Sequence, residues 1–385
     1  MSGRGNLPGM TKDRVLICTH SAGFGHRKAA EALIEAFRTI SPETGVYIID
    51  PFEFARPYLN KLLIHIYLKI LKRAPYIYRM LYEKGERSDR DRHGYSFLWK
   101  LIINQAFYQK LDLLVEEIRP TVILCTHPFA AVVMSRWRER KGAVTPAITG
   151  LITDYTVHPF WKGLNLEGYF TASPDLLPDI TDGGISGEMV WATGIPVSRK
   201  FGRVAGKKRV RLDLGLNPYL KTILVMGGGF GLGDLDEVVK CIGSSDLKVQ
   251  LMVVTGINTG LQKRLKKLIA DLGIPVKVFG FVDNIPEFMA AADIIVSKPG
   301  GITVAEALAA KLPIIIWKPI PGQEVRNASF LVKKRLGRQV NDGTDLIAAV
   351  KQQLDLQQSA RLELTALNRL AARNIAGIVI EAFMS

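Results

Sequence analysis

The chain has 385 residues, which exceeds what one hydrophobic core usually serves and suits two domains. Apolar residues make up 48% and charged residues 23%, a balance that excludes an intrinsically disordered protein. Lysine and arginine outnumber aspartate and glutamate by 51 to 36, and the resulting net charge of +15 predicts an anionic partner: nucleic acid, a phosphate-bearing substrate or an acidic membrane surface.

The three cysteines, Cys18, Cys125 and Cys241, are far apart and lie beside apolar, strand-like residues. This spacing is typical of neither a metal site nor a disulfide framework, so we expect reduced thiols in a reducing compartment. The segment 1–12 lacks the apolar core of a signal peptide, and no run of about 18 apolar residues marks a membrane span. We therefore expect a cytoplasmic protein that contacts membranes only peripherally, in which the sequon at Asn327 has no use.

The first half of the chain alternates short β-branched runs with helical stretches, as in a parallel α/β sheet. The predicted strands are 14–19, 46–50, 122–125, 148–153 and 169–172. Helical spacing of Ala, Leu and Ile predicts a helix over 28–37. These elements predict a doubly wound N-terminal domain over 13–198, interrupted by a helical insertion at 57–110.

The second half repeats this architecture. Residues 195–218 are rich in Lys, Arg and Gly and short of regular patterning, which predicts a linker between the domains. Strands are then predicted at 222–226, 249–254, 276–279, 294–297 and 314–317. We therefore expect an α/β fold with a second domain over 199–365. A final helical stretch is predicted at 362–383, and we expect the segment 366–385 to pack back on the first domain.

A glycine-rich loop follows the first strand of the second domain and opens a helix. Five of its residues are glycine: Gly227, Gly228, Gly229, Gly231 and Gly233. Bare backbone amides at a helix N-terminus bind a diphosphate, and five glycines exceed what a tight turn needs, although a turn without a ligand is the alternative. The loop lacks the ending of a P-loop and a clean dinucleotide fingerprint, which disfavours an NTPase or a dehydrogenase.

Two more polar loops follow strands of the same domain. Ser297 begins a segment with the pair Gly300 and Gly301, and Glu306 follows about one and a half helical turns later. Its amides suit phosphates and its carboxylate suits a ribose diol. The loop 319–324 adds an amide and an acid that suit sugar hydroxyls. Because parallel strands end at the same sheet edge, the three loops predict one ligand site.

These loops and several others resemble the motifs of a known family. The chain resembles the lipid-linked glycosyltransferases of the monogalactosyldiacylglycerol synthase and processive diacylglycerol glucosyltransferase family. The similar stretches, in the family's order, are THSAGFGH at 19–26, TDYTVHPFW at 153–161, TGIPV at 193–197, the glycine-rich loop 227–233, and 297–324. The resemblance implies two Rossmann-like domains facing a cleft (GT-B type), with the nucleotide on the C-terminal domain.

The same resemblance implies a reaction and its participants. It implies an inverting transfer of a hexose from a UDP-sugar to the hydroxyl of diacylglycerol, without a bound metal or another cofactor. UDP-glucose and UDP-galactose both remain open as donors, and a polyprenyl-linked or soluble acceptor is the alternative to diacylglycerol.

The resemblance also assigns roles to residues of the donor site. It implies that Glu306 binds the ribose, that Phe281 and Val282 clamp the uracil through their backbone, and that Gln323 and Glu324 contact the sugar hydroxyls. The complete predicted donor site consists of Gly227, Gly228, Gly229, Phe281, Val282, Ser297, Gly300, Gly301, Ile302, Glu306, Gln323 and Glu324.

His26 is the predicted catalytic residue on the acceptor side. It lies at the mouth of a glycine-rich loop where a helix begins, and the helix dipole favours the neutral, basic imidazole there. Plant-type relatives carry an acid five residues earlier, where this chain has Ser21, so no acid is assigned at that position. The acceptor cleft is further predicted to include Gly23, Gly25, His127, Asp154 and His158, and the last three have loop capping as the alternative.

The insertion is basic and amphipathic. Leucine and isoleucine recur at helical spacing over 59–70, whereas Lys61, Lys69, Lys72 and Arg73 follow another face. Residues 55–110 hold 12 Lys and Arg against four Asp and Glu, a local charge of +8. This pattern predicts attachment to an anionic membrane, with an ordinary packed helix as the alternative. A nucleic-acid-binding module is disfavoured, since it would leave the glycine loops without a role.

Overall fold

The computed structural model describes residues 13–20, 24–54, 105–142, 145–182, 185–204, 206–355 and 362–384. These residues form two parallel sheets of six strands each. The strands are β1 Arg14–Cys18, β2 Gly45–Ile49, β3 Val122–Cys125, β4 Ala147–Leu151, β5 Gly168–Thr171, β6 Val190–Ala192, β7 Lys221–Met226, β8 Val249–Val254, β9 Val276–Phe279, β10 Ile294–Ser297, β11 Ile314–Trp317 and β12 Gly337–Val340.

Helices cover the sheets between the strands. The α-helices within the described ranges are Phe24–Ile40, Gln105–Ile118, Pro128–Lys141, Leu177–Thr181, Lys207–Asp213, Leu235–Gly243, Thr259–Leu268, Ile285–Ala291, Gly301–Ala309, Gln323–Lys333, Gly343–Asp355 and Leu362–Phe383. The inner strands are apolar runs of Val, Ile and Leu that are buried on both faces, for example β3 and β8. Such runs are typical of parallel sheets that lie between two layers of helices.

Each sheet has a point at which the strand order reverses. The N-terminal sheet has the order β2-β1-β3-β4-β5-β6, and the C-terminal sheet has the order β12-β11-β10-β7-β8-β9. The reversal therefore lies between β1 and β3 in the first sheet and between β7 and β10 in the second. Loops that leave these strands diverge and open a crevice, where α/β proteins bind ligands. The predicted fold class, two Rossmann-like domains, is confirmed.

The predicted strands occur in the structure with ends that differ by two residues at most. Two strands at sheet edges were not predicted: β6 is half-buried along its whole length, and β12 carries Arg338 and Gln339. Neither has the apolar run on which strand prediction depends.

The segment 195–218, predicted as the linker, contains a helix that was not predicted, Lys207–Asp213, which packs on the helix Ile285–Ala291. Its buried Arg211 is held by an ion pair of 2.5 Å between Nη2 and the Asp293 carboxylate. A charged residue that faces the core hides the apolar periodicity of so short a helix.

The last helix, Leu362–Phe383, lies against both domains. It packs on the helix Phe24–Ile40 of the first domain and on Gly301–Ala309 of the second. Ile375 and Val379 are buried in the core of the first sheet. These contacts fix the two domains against each other, so that the two sheet crevices face one another.

The predicted insertion lies mostly outside the described residues. Its described part, 105–110, belongs to the helix Gln105–Ile118, in which Phe107 and Tyr108 are buried. Lys61, Lys69, Lys72 and Arg73 fall outside the described residues, as do Ser21 and Gly23. Among the helices that the structure describes, none has both the length and the apolar character that crossing a bilayer requires.

Candidate active site

A cavity of about 310 Å³ lies between the two domains, where the two sheet crevices meet. Thirteen residues of the predicted site line it: Gly25, His26, Asp154, Gly228, Gly229, Phe281, Val282, Gly300, Gly301, Ile302, Glu306, Gln323 and Glu324. Four other predicted residues, Gly227, Ser297, His127 and His158, lie outside its lining. Gly23 is not among the described residues.

Two glycines allow the walls of the cleft to approach each other closely. A Cβ on Gly229 would lie 2.1 Å from the Phe24 ring, and a Cβ on Gly301 would lie 2.0 Å from the Thr153 carbonyl oxygen. Both distances are far below contact, so any side chain would push the domains apart. Gly227 has a different function: a Cβ there would lie 2.1 Å from the Leu232 carbonyl, inside the loop's own turn.

The C-terminal wall presents backbone amides and one cation. The helix Gly301–Ala309 begins at the cavity, and its N-cap residue Gly300 has no side chain to cap the first turn. The Gly301 amide donates to Asp154, and the first-turn amides that follow it are available to an anion. The Lys298 side chain lies over the glycine-rich loop, with Cε 3.9 Å from the Cβ position of Gly228. Its ammonium group is paired with the Glu324 carboxylate. A positive group thus lies beside two sets of amides that suit phosphates.

Glu306 extends from this helix into the cavity, and only 8% of its surface is exposed. Its carboxyl group has no hydrogen-bond partner among the described residues. Burial raises its pKa to about 8, and the charge of Lys28 on the opposite wall partly opposes that rise. A buried acid without a partner is prepared to accept hydrogen bonds from a ligand's hydroxyl groups.

The helix Gln323–Lys333 begins at the cavity with the predicted sugar contacts. Glu324 Oε2 accepts a hydrogen bond of 3.0 Å from the Ile320 amide, and Oε1 pairs with Lys298. Both carboxylate oxygens of Glu324 are therefore engaged within the protein. Gln323 lines the cavity, and its side chain makes no hydrogen bond within the described part of the chain.

His26 lies on the opposite wall, in the first turn of the helix Phe24–Ile40. Its Nδ1 is 2.8 Å from the Thr126 carbonyl oxygen and 2.9 Å from Thr153 Oγ1. A carbonyl can only accept, so we place the ring proton on Nδ1, where both oxygens share it. The lone pair is then on Nε2. Burial lowers the pKa of His26 to about 4, so the imidazole is neutral and basic at physiological pH.

The neighbouring histidines make local structural contacts. His127 Nδ1 accepts from the Phe129 amide at 3.1 Å, and His158 Nδ1 accepts from the Phe160 amide at 3.2 Å, so both cap helical turns. The His127 ring also packs edge-on against His26, with centroids 4.4 Å apart. These contacts match the capping alternative considered for His127 and His158.

Asp154 connects the two walls. Its Oδ1 accepts a hydrogen bond of 2.8 Å from Asn327 Nδ2, and the carboxylate also accepts from the Gly301 amide. Burial, with help from the negative charge of Glu324, raises its pKa to about 7 against these two bonds. Asp154 is thus an interdomain contact at the floor of the cleft.

Comparisons with known proteins match both halves of the chain. Residues 26–197 match the family model for monogalactosyldiacylglycerol (MGDG) synthase, and residues 222–376 match the C-terminal domain of glycosyltransferase family 28. The processive diacylglycerol beta-glucosyltransferase of Bacillus subtilis is 30% identical over 341 residues, which are 88% of this chain and 86% of that protein. The chain belongs to this diacylglycerol glycosyltransferase family. The predicted family membership is confirmed.

Solved structures share the fold at low identity. HepE of Anabaena, in complex with UDP-glucose, matches with a TM-score of 0.53 and 15% identity over 96% of this chain and 95% of that one. The UDP-GlcNAc 2-epimerase of Neisseria meningitidis, bound to UDP-GlcNAc, matches with 0.55 and 14% over 96% and 99%. The fold is the GT-B fold. Because an epimerase has it too, family membership and the site must indicate the reaction.

Several lining residues of this diacylglycerol glycosyltransferase family member were not predicted. They are Phe24, Lys28, Thr153, Phe230, Lys298 and Thr303. Lys298 directly follows Ser297 in the segment SKPGG at 297–301, so its position beside predicted residues could have revealed it. Phe24 packs against Phe230 and Phe281 across the cleft, with ring centroids 5.2 and 5.4 Å apart. Contacts between domains of this kind leave no local signal in the sequence.

Proposed function

We propose that the chain transfers glucose from UDP-glucose to the hydroxyl group of diacylglycerol, with inversion at the anomeric carbon. The observation that carries this proposal is the cleft itself: a neutral histidine with a free Nε2 faces amides, a lysine and a buried acid across one cavity. A base thus opposes a site suited to a nucleoside diphosphate.

In the proposed step the acceptor hydroxyl attacks the anomeric carbon and UDP leaves. The diacylglycerol oxygen forms a bond to C1 of the sugar while its proton moves to His26 Nε2. The bond between C1 and the diphosphate oxygen breaks, and its electron pair stays on the departing UDP. The first-turn amides that follow Gly301 and the Lys298 ammonium stabilise the growing negative charge, after Lys298 turns from Glu324 toward the phosphate. Glu306 accepts the ribose hydroxyls.

Two of the sequence matches favour glucose over galactose because they cover different parts of the chain. The MGDG synthase model matches 26–197, which excludes the proposed donor loops. The relative from Bacillus subtilis, a glucosyltransferase by name, aligns over 88% of the chain and so includes most of both walls. HepE supports a UDP-sugar as the ligand, since it binds UDP-glucose in the same fold.

The acceptor and the sugar are tested together. The purified protein is incubated with UDP-glucose or UDP-galactose and with vesicles that contain or lack diacylglycerol, and lipid products are identified by mass spectrometry. We expect a glucosylated diacylglycerol only when both components are present. Product on a polyprenyl-linked or soluble acceptor, without product on diacylglycerol, would contradict the proposed acceptor. A galactolipid made in preference would contradict the proposed sugar.

We further propose that the protein attaches peripherally to the cytoplasmic face of the membrane through the segment 57–110. The support is the coincidence of an apolar stripe in that segment with a local charge of +8 over residues 55–110. Such attachment would bring the cleft to an acceptor that stays in the bilayer.

A further inference from the structure

Asn327 is completely buried and hydrogen-bonded to both domains. It lies on the helix Gln323–Lys333, one turn after the residues that line the cavity. Its Oδ1 accepts a hydrogen bond of 3.0 Å from the Tyr155 amide. Its Nδ2 donates to Asp154 Oδ1 at 2.8 Å and to the Pro299 carbonyl at 3.0 Å. Two of these bonds reach the N-terminal domain, here called the acceptor domain. The third stays within the C-terminal domain, here called the donor domain.

The loop that Asn327 holds also holds the base. Thr153 directly precedes Asp154, and its Oγ1 lies 2.9 Å from His26 Nδ1. The Gly301 amide bonds to Asp154, and the missing side chain of Gly301 lets the Thr153 carbonyl approach the donor domain. The position of the Thr153 hydroxyl, and with it the orientation of the His26 ring, therefore depends on how the donor domain grips this loop.

The other end of the connection is the donor site. Gln323 and Glu324 precede Asn327 by four and three positions, so the three side chains lie on one side of the helix. Pro299, whose carbonyl accepts from Asn327, follows Lys298, which is paired with Glu324. Asn327 is thus connected to the donor domain by its own helix and by the Pro299 carbonyl. A ligand that displaces Lys298 or engages Gln323 acts on both connections.

We propose that Asn327 is a positioning residue that transmits occupancy of the donor site to the orientation of His26, through Asp154, Tyr155 and Thr153. This inference rests on the proposed function for the roles of His26 and of the donor loops. It predicts that Asn327 affects turnover after UDP-glucose has bound, whereas a residue that only holds the domains together would affect stability.

Asn368 provides a matched control. It is also completely buried, and it also joins parts of the interdomain interface: its Oδ1 accepts from the Ile195 amide at 2.9 Å, and its Nδ2 lies 3.4 Å from the Tyr155 hydroxyl. It does not line the cavity, and it contacts the hydroxyl end of the Tyr155 side chain, not the backbone amide by which Asn327 holds the loop. Variants at the two positions therefore separate the general effect of losing an interdomain asparagine from the specific effect of losing the connection to His26.

The kinetic test compares Asn327→Ala, Thr153→Val, their combination and Asn368→Ala. We expect Asn327→Ala to lower kcat by about 10- to 100-fold, since a small misplacement of a reacting group has that cost, while KM for UDP-glucose changes less than about threefold. Thr153→Val removes the hydroxyl with little change of shape and should lower kcat similarly. The double variant should be no worse than the stronger single one, because both act on one path.

Three kinetic results would overturn the proposal: multiplication of the two single effects, a loss confined to KM, or an equal fall of kcat in Asn368→Ala. Asn327→Asp covers the case in which the alanine variant does not fold. It keeps the shape and the bond from Tyr155 but opposes a carboxylate to Asp154, with Glu324 and its partner Lys298 nearby. Because the pKa of Asp154 is already about 7 and a second carboxylate raises it further, the pair holds a proton that restores a donor at pH 7 and loses it at higher pH. The kcat of Asn327→Asp should therefore be close to the parent value at pH 7 and fall as pH rises above that. A loss that does not depend on pH would count against the hydrogen bond to Asp154.

A second readout does not require turnover. In protein labelled with ¹⁵N at histidine, the His26 ring signals are assigned by comparison with His26→Gln. We expect Asn327→Ala and Thr153→Val to shift these signals in the same direction, and Asn368→Ala to leave them in place. UDP-glucose should shift them by less in Asn327→Ala than in the parent, because only its direct effect on a ring that lines the same cavity remains. If UDP-glucose shifted them equally in both, the connection would not exist. If the parent made no glycolipid, the proposed function would fail while these spectra still decided the role of Asn327.

Discussion

The two walls of the cleft are built in different ways. The donor wall consists of backbone at strand-to-helix turns, in the glycine-rich loop after β7 and at Gly300 and Gly301 after β10, with Glu306 on the following helix. The acceptor wall consists of side chains held by distant parts of the chain: His26 is fixed by Thr126 and by Thr153, which are 100 and 127 residues away.

Because of this difference, the two walls tolerate different changes of sequence. Backbone amides bind phosphates in any sequence that keeps the turn, so the donor wall depends on a few glycines and one acid. The acceptor wall depends on long-range hydrogen bonds, so its chemistry is sensitive to changes at some distance from the reacting atoms. The donor wall should therefore govern the affinity for UDP, and the acceptor wall should govern turnover.

The largest effect should come from the acceptor wall. Replacing His26 with Ala should lower kcat by about 10²- to 10⁴-fold, the usual contribution of a general base, while the Kd for UDP stays within about twofold of the parent value. Because the pKa of His26 is about 4, the base form persists from pH 9 down to pH 5 and is lost only as pH falls through 4. Steady-state kinetics and calorimetry on the same preparation measure both quantities. Near-normal kcat in His26→Ala would show that the acceptor wall does not govern turnover.

The donor wall could be predicted from the sequence because its signals are local. A run of glycines after an apolar strand, or an acid at helical spacing from a glycine pair, is visible within ten residues. The same locality made ten of the twelve strands predictable. Lys207–Asp213 was missed because the ion pair between Arg211 and Asp293 that buries it joins residues 82 positions apart.

On the acceptor wall, only His26 and other residues of the sequence motifs could be predicted. Thr126 contributes a carbonyl oxygen, which every residue has, so no side-chain type marks it. Lys28 faces Glu306 only because the two domains face each other. Asn327 is marked in the sequence only by a glycosylation sequon, and its three bonds depend on the packing of the domains.

The next effect in size concerns the segment 57–110 of the acceptor domain. Changing Lys61, Lys69, Lys72 and Arg73 to Gln should weaken binding to acidic vesicles by roughly 10- to 1,000-fold, since each cation near the surface contributes up to about 1 kcal/mol. Binding to neutral vesicles should change less, and added salt should reproduce the loss. The affinity for UDP should not change, because the donor wall is in the other domain.

The control for this variant removes four cations from the donor domain. Lys263, Arg264, Lys266 and Lys267 are all exposed on the helix Thr259–Leu268, so their replacement by Gln lowers the net charge equally. Vesicle sedimentation should separate the two variants clearly. If both lost the same affinity, or neither lost any, the membrane contact would not reside in the segment 57–110.

A smaller effect tests the donor wall. Glu306→Ala should weaken UDP binding by about 1 to 3 kcal/mol, or roughly 5- to 150-fold, because the ribose hydroxyls lose a charged acceptor in a buried site. At saturating UDP-glucose, kcat should fall much less than in His26→Ala. Calorimetry measures the affinity, and circular dichroism verifies folding. An unchanged UDP affinity in a folded Glu306→Ala variant would remove the acid from the donor site.

The smallest effect is the pH dependence of UDP binding, and it tests the same acid without deleting it. Burial raises the pKa of Glu306 to about 8 in the free protein, so the carboxyl group is mostly protonated at pH 7 and mostly ionised at pH 9. Hydroxyl groups that donate to the carboxylate favour the ionised form, so bound UDP lowers this pKa and binding below pH 8 releases a proton. The affinity should therefore rise by about tenfold from pH 7 to pH 9, following the ionised fraction. His26, with a pKa of about 4, does not titrate in this window, and a phosphate group with a pKa near 6 is already ionised.

In Glu306→Gln the rise should disappear, and calorimetry in buffers of different ionisation enthalpy should no longer detect proton release. If the rise persisted in Glu306→Gln, the titrating group would be another one, with Asp154 at a pKa of about 7 the first to examine, and control of nucleotide affinity would not belong to the donor wall alone.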